Sequence, residues 1–214
     1  EVYETYYDVK YPGHERQAGR PLRVSPAFPR LQELGAAFGE KAGWERANWF
    51  ERNAARGNES LRPRGWAGKL WSPAIGAEHH GCRETAALFD ETSFAKLDVT
   101  GQGAADFLER LCANRVARRV GRVTYTQMLN PRGGIECDFT VTRLADEHFR
   151  IVTGTAFGQH DLAWLRQHAS DEGVQVADVT SQLACFGLWG PRAREFLQPL
   201  TTTDLANEAF PYMT

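Results

Sequence analysis

No run of apolar side chains in the sequence approaches the ~20 residues that a membrane-spanning helix requires, so no transmembrane segment and no membrane partner is expected. Nor is there an excess of positive charge. Lys and Arg number 25 against 27 Asp and Glu, a net charge of -2, which excludes a predominantly electrostatic nucleic-acid binder. Cysteine is scarce: Cys82, Cys112, Cys137 and Cys185 are widely spread, and none belongs to a C-x-x-C pair. That spacing argues against a disulfide framework and against a structural zinc site, which usually shows close ligand pairs. His79 and His80 are the only adjacent histidines. Neighbouring helical positions point about 100° apart, so this pair is poorly placed to chelate, and no metal is expected. No Gly-x-Gly-x-x-Gly joins a strand to a helix, so the dinucleotide-binding fingerprint is missing. Reduced thiols and an opening Glu1-Val2-Tyr3-Glu4 unlike a signal peptide lead to a cytoplasmic expectation, or the mitochondrial matrix in a eukaryote.

What is present is globular. Of the 214 residues, 42% are hydrophobic, 11% aromatic and 24% charged, enough to bury a core in one domain with a docked extension. The pattern changes near residue 75. Residues 1–74 are rich in turns and aromatics, including Tyr3, Tyr6, Tyr7, Tyr11, Trp44, Trp49, Trp66 and Trp71. They hold a short helical stretch that stops at Gly35 and a polar loop from Arg52 to Lys69. They show no sustained period of 2 or 3.6, which predicts an irregular connector wrapped on a larger body.

From residue 75 the periodicity sharpens. Helices are predicted over 78–89, 101–112, 157–168 and 191–197, the last with Pro191 in its first turn. Ala104, Phe107, Leu108 and Leu111 form an i, i+3, i+4, i+7 stripe in the second of these. Strands are predicted over 94–100, 123–129, 135–143, 149–153, 174–179 and 183–189. Hairpins interspersed with helices indicate an α+β fold, a mostly antiparallel sheet with packed helices. Arg143 to His148 reads as a hairpin turn.

The most informative stretch is Tyr125-Thr126-Gln127-Met128-Leu129-Asn130-Pro131-Arg132-Gly133-Gly134-Ile135-Glu136-Cys137-Asp138. Asn-Pro-Arg-Gly-Gly supplies turn residues for a hairpin. On its second strand Ile135, Cys137, Phe139 and Val141 share one face, and Glu136, Asp138, Thr140 and Thr142 the other. Two readings of Asp138 stay open on spacing alone. On a solvent face it is a surface acid; in a cavity it accepts a hydrogen bond or a proton from a ligand amine.

Here the residues resemble a known family. Gly133-Gly134-Ile135-x-x-Asp138, ending thirteen residues after Tyr125, resembles the folate-site hairpin of the glycine-cleavage T-protein (aminomethyltransferase) family. Cys82-Arg83-Glu84-Thr85-Ala86-Ala87-Leu88-Phe89-Asp90 resembles that family's first helix, and Gly187-Leu188-Trp189-Gly190-Pro191 its Gly-Pro helix start. Ser93-Phe94-Ala95-Lys96 is nearer to the branch fused to flavin-dependent dimethylglycine and sarcosine dehydrogenases. Gly19-Arg20-Pro21-Leu22-Arg23-x-Ser25-Pro26 and Gly43-Trp44-Glu45-Arg46-Ala47-Asn48-Trp49-Phe50 resemble the segment that joins flavin and folate domains in that branch.

The resemblance implies two regions: a connector at 1–74 that ends a flavin-oxidoreductase region, and at 75–214 the N-terminal part of a folate-binding domain. It implies that a flavin domain, in the same or an associated chain, oxidises a small N-methylated amine to an iminium. Tetrahydrofolate then captures the one-carbon unit as methylenetetrahydrofolate. By position Asp138 faces the reacting folate amine, while Tyr125, Phe94 and Thr140 line the cofactor site. FAD belongs to the flavin domain, since its fingerprint is missing here. No Gly-Glu-x-Gly-like motif follows, so the chain is expected to be a fragment with an incomplete folate pocket, inactive alone. Arg115, Arg118, Arg119 and Arg122 form a basic cluster that suits either a glutamyl tail or a solvated loop. Two other functions remain in view: a non-catalytic structural module docking on a flavin domain, and a stand-alone aminomethyltransferase or demethylase.

Overall fold

The computed structural model describes residues 3, 6, 7, 9, 14–169 and 173–214; Tyr11 lies outside them. In chain order the elements are α1 (Phe28–Glu33), β1 (Ala36–Lys41), β2 (Trp44–Phe50), α2 (Ala74–Glu84), β3 (Ala87–Asp90), β4 (Ala95–Thr100) and α3 (Ala104–Leu111). After these come β5 (Val123–Leu129), β6 (Ile135–Ala145), β7 (His148–Thr153), α4 (Gly158–His168), β8 (Gln175–Asp178), β9 (Phe186–Trp189) and α5 (Ala193–Leu197). The chain divides into two compact units, one of Glu1–Asp90 with Phe186–Leu200, the other of Glu91–Cys185 with Thr201–Thr214. Among the described residues no helix is long and apolar enough to cross a membrane.

The first unit holds more regular structure than its sequence suggests. β1 and β2 pair antiparallel through the two-residue turn Ala42-Gly43, both at positive φ, 50° and 84°. Two left-handed residues give the turn whose twist matches paired strands. A register shift at Ala37/Phe38 breaks the alternation, which hides the hairpin from a period-2 reading. Trp44 is buried under the Arg23 guanidinium, 4.3 Å from the ring centre. Trp66, by contrast, is half exposed. The polar stretch predicted as loop is wound into short 3-10 helices of one or two turns at Glu51–Arg56, Glu59–Leu61 and Gly65–Leu70. Glu78 of α2 accepts hydrogen bonds from the Phe50 amide at 2.7 Å and Asn53 Nδ2 at 2.8 Å, tying the helix to the hairpin.

One predicted helix ends early. The stretch 78–89 is not helical throughout: α2 stops at Glu84, and Leu88 and Phe89 lie in β3, paired antiparallel with β9. Thr85 is the breaking point. Its hydroxyl donates to the Gly81 carbonyl at 2.6 Å while its backbone turns out of the helical region. A β-branched residue that satisfies a final carbonyl is a good place to leave a helix.

The second unit is built on a five-stranded antiparallel sheet ordered β5-β6-β7-β4-β8. In β7, Phe149, Ile151 and Thr153 are buried and alternate with partly exposed His148, Arg150 and Val152. Leu97, Val99, Met128, Phe139, Val141, Phe149 and Ile151 pack in one core with Phe107 and Leu108 of α3 and Leu162 and Leu165 of α4. Both helices therefore cover the same sheet face, as an α+β layer requires. Trp164 of α4 is only partly buried and lies against His168, ring centres 4.5 Å apart.

Candidate functional site

The β5–β6 hairpin is locked at its tip by Asn130. Its Oδ1 accepts from the Arg132 and Gly134 amides at 3.0 and 2.9 Å, and its Nδ2 donates to Glu136 Oε1 at 2.8 Å. Gly133 sits at φ 79°, where a side chain is strained. Asn-Pro-Arg-Gly-Gly thus fixes the register in which Tyr125 faces Thr140 and Gln127 faces Asp138.

That register puts Tyr125, Gln127, Asp138 and Thr140 on the sheet face turned away from α3 and α4, because their neighbours Thr126, Met128, Cys137, Phe139 and Val141 fill the core. Tyr125 is 51% exposed, Asp138 exposed and Thr140 half-buried, so within this chain the face is open. The Asp138 carboxylate beside it raises the Tyr125 phenol's pKa above the ordinary tyrosine value, while Gln127 acts the other way.

Phe94 stands apart. It is half-buried in the bend before β4, its amide donating to the Glu91 carbonyl at 2.9 Å. Ala95 and Phe139 pair with Thr153 from opposite sides, so Phe94 enters at the level of Asp138 but two strands away, roughly 9–10 Å along the sheet. The arginines at 115, 118 and 119 lie exposed in the connection between α3 and β5, and Arg122 donates to the Tyr212 carbonyl at 2.8 Å.

The structure adds three further sets of residues. Gln127, two residues after Tyr125, was within reach of the alternation rule and completes the polar face. Asp98 of β4 is gripped by Arg150 of β7, Nε to Oδ1 at 2.8 Å and Nη2 to Oδ2 at 2.9 Å, with His148 Nε2 at 2.8 Å from Oδ2. Burial pushes the Asp98 pKa up, but the bonds from Arg150 and His148 outweigh it and hold the carboxyl below its usual range. Cys137, behind Asp138, lies beside Asp161 and His160 of α4. Burial, then the Asp161 carboxylate, pushes the Cys137 thiol well up, and burial with the nearby Glu109 charge pushes Cys112 up to about 12. All four cysteines are free thiols.

Residues 27–214 match the GCVT N-terminal domain. The chain belongs to this family. It is 35% identical over 206 residues to 4-methylaminobutanoate oxidase (formaldehyde-forming) of Paenarthrobacter nicotinovorans, covering 96% of this chain and 25% of that protein. It is 34% identical to the mitochondrial dimethylglycine dehydrogenase of Homo sapiens, covering 96% of this chain and 23% of that one. These matches reach ahead of residue 27, so the front segment is shared as well. The GCVT chain therefore spans about a quarter of the length of these relatives. The fold is that of the glycine cleavage system aminomethyltransferase T from Bartonella henselae, with a TM-score of 0.66 and 27% identity over 83% of this chain and 43% of that one. The α+β expectation holds, and this GCVT chain is an aminomethyltransferase-like domain related to the N-methyl amine dehydrogenases.

Proposed function

We propose that the Tyr125–Asp138 face binds tetrahydrofolate, and that this domain serves a flavin-dependent dehydrogenase acting on a small N-methylated amine of the dimethylglycine or sarcosine type. The observation that carries the reading is the juxtaposition itself, an acid and a phenol neighbouring on the open face of a rigid hairpin in a domain of this family. The donor set fits a folate. Ionised Asp138 accepts only, Gln127 both donates and accepts, and Tyr125 offers a flat ring against which a pterin can lie. When bound, tetrahydrofolate supplies the amine that takes up the one-carbon unit, leaving as methylenetetrahydrofolate. Asp138 orients the N–H at its carboxylate, stabilises the positive charge that develops on that nitrogen, and accepts the proton it releases. Tyr125 stands beside Asp138 on the same face. Thr140 borders the acid, and Phe94 closes the far side of the same level. Amine oxidation falls to FAD in a flavin domain of the same or an associated chain. The connector reading of residues 1–74 and the folate-domain reading of 75–214 belong to this proposal.

The test is isothermal titration of tetrahydrofolate into the protein, its Tyr125→Ala variant and its Asp138→Asn variant. Saturable heat that weakens in both variants supports the reading; no binding to the unaltered protein overturns it. The exposure of Asp138 and Tyr125 favours one other reading, a non-catalytic module that docks on a flavin domain. The same titration separates them, because that module binds the flavin domain and no folate.

A further inference from the structure

Behind the hairpin, on the opposite side of β6 from Asp138, one ligand atom each from Cys137, His160 and Asp161 lies within 4.8 Å of the others. Cys137 and Asp161 are buried and His160 is half exposed. Adjacent residues such as His160 and Asp161 ordinarily diverge on a helix. Here the imidazole turns back, placing Nδ1 3.0 Å from Asp161 Oδ1.

Two surrounding contacts have the form of a supporting shell. Thr153 Oγ1 donates to Asp161 Oδ2 at 2.7 Å, fixing the carboxylate and leaving Oδ1 toward the imidazole. On the other side of the ring, Glu136 Oε2 stands 3.8 Å from His160 Nε2. A ligating histidine whose second nitrogen faces a carboxylate is the usual arrangement in metal sites. An independent observation concerns charge. Asp161 is 1% exposed, yet among the described residues no lysine or arginine pairs with it; its contacts are a hydroxyl, a thiol and an imidazole. Buried carboxylates are normally paired with a fixed cation or bound to a metal.

We propose that Cys137, His160 and Asp161 form a site for a divalent cation of the zinc class. Sulfur, imidazole nitrogen and carboxylate oxygen are the donors that suit zinc or cobalt, and three protein ligands leave a fourth position for water. Binding releases the thiol proton to solvent and exchanges it for the metal–sulfur bond. The half-exposed ring of His160 gives the ion its entry. Because Cys137 belongs to β6 and the other two ligands to α4, the ion would pin the strand that carries Asp138 to the helix beneath it. The site is independent of the folate reading, since none of its ligands belongs to the Tyr125–Asp138 face.

The experiment is titration of the chelator-treated protein with Co²⁺ alone, followed by absorption spectroscopy, then displacement by Zn²⁺. The proposal expects a thiolate-to-cobalt charge-transfer band with tetrahedral visible bands, saturating at a single ion per chain. The charge-transfer band disappears in Cys137→Ser. His160→Ala, at an exposed position that leaves the fold intact, weakens Zn²⁺ binding, and Glu136→Gln weakens it by about 10-fold or more. No sulfur-to-metal band in the unaltered protein overturns the site, as does an unchanged band and affinity in His160→Ala.

Discussion

Tyr125 and Asp138 are diagonal neighbours across the β5–β6 hairpin, two positions apart in register, and the carboxylate of the second raises the pKa of the phenol of the first. The carboxylate favours the neutral phenol, so Tyr125 ionises at higher pH than an ordinary tyrosine. Replacing Asp138 by Asn removes the charge and lowers the Tyr125 pKa. Ultraviolet pH titration of wild type and Asp138→Asn, each referenced to its Tyr125→Phe counterpart, isolates the single phenol. An identical titration in both backgrounds would mean that the two side chains are not coupled in solution.

Asp98 governs acid stability. Its folded pKa lies below the unfolded value near 3.9, so its contribution is fully present above that pH. It is lost as pH falls through the folded pKa, when the carboxylate must take up a proton and release Arg150 and His148. Asp98→Asn is expected to cost roughly 2–3 kcal/mol at pH 7, the worth of charge-assisted bonds at a mostly buried site. It also flattens the loss of stability below about pH 4. Urea unfolding across pH 3–7 measures both effects.

Gly190 is required for its backbone. It has φ 120°, and a Cβ there would lie 2.5 Å from the Thr85 carbonyl oxygen and 2.6 Å from that of Cys82. Gly190→Ala therefore meets backbone that cannot swing aside, at the point where α2 ends and β9 gives way to α5. The expected loss is about 1–3 kcal/mol from strain alone, with the clash in addition. A drop in Tm read by circular dichroism checks it; unchanged melting would contradict the geometry.

The second unit was legible because its strands alternate cleanly. Residues 123–129 coincide with β5, and Cys137, Phe139 and Val141 are buried as the period of 2 requires; Ile135, expected with them, is 66% exposed and Glu136 lies near His160 of α4, because the register shift at Met128/Leu129 breaks the alternation before Cys137. The apolar stripe of α3 was equally direct: Ala104, Phe107 and Leu108 are fully buried, and Leu111 is partly buried against the same core. The front hairpin was not legible, because its bulge at Ala37/Phe38 interrupts the alternation and its Ala-Gly turn lacks the usual Asn or Asp. Thr85 ended a helix by a local side-chain bond that a periodicity count does not register. The Asp98–Arg150–His148 grip and the Cys137–His160–Asp161 cluster join elements distant in sequence, and only strand order brings them together. The outward placement of Asp138 and Tyr125 was legible from alternation, but which residues they face across the hairpin depends on a register that spacing alone leaves free.

The role given to Asp138 is tested most directly by the yield of methylenetetrahydrofolate per N-methyl amine oxidised. It is measured in the flavin-containing protein with saturating tetrahydrofolate, for wild type and Asp138→Asn. Loss of a positioned acid–base group predicts about 10²–10⁴-fold slower one-carbon capture, so the oxidised amine releases formaldehyde in place of the folate product. An unchanged yield in Asp138→Asn would contradict that role and leave the acid as an ordinary side chain on the outer face of the hairpin.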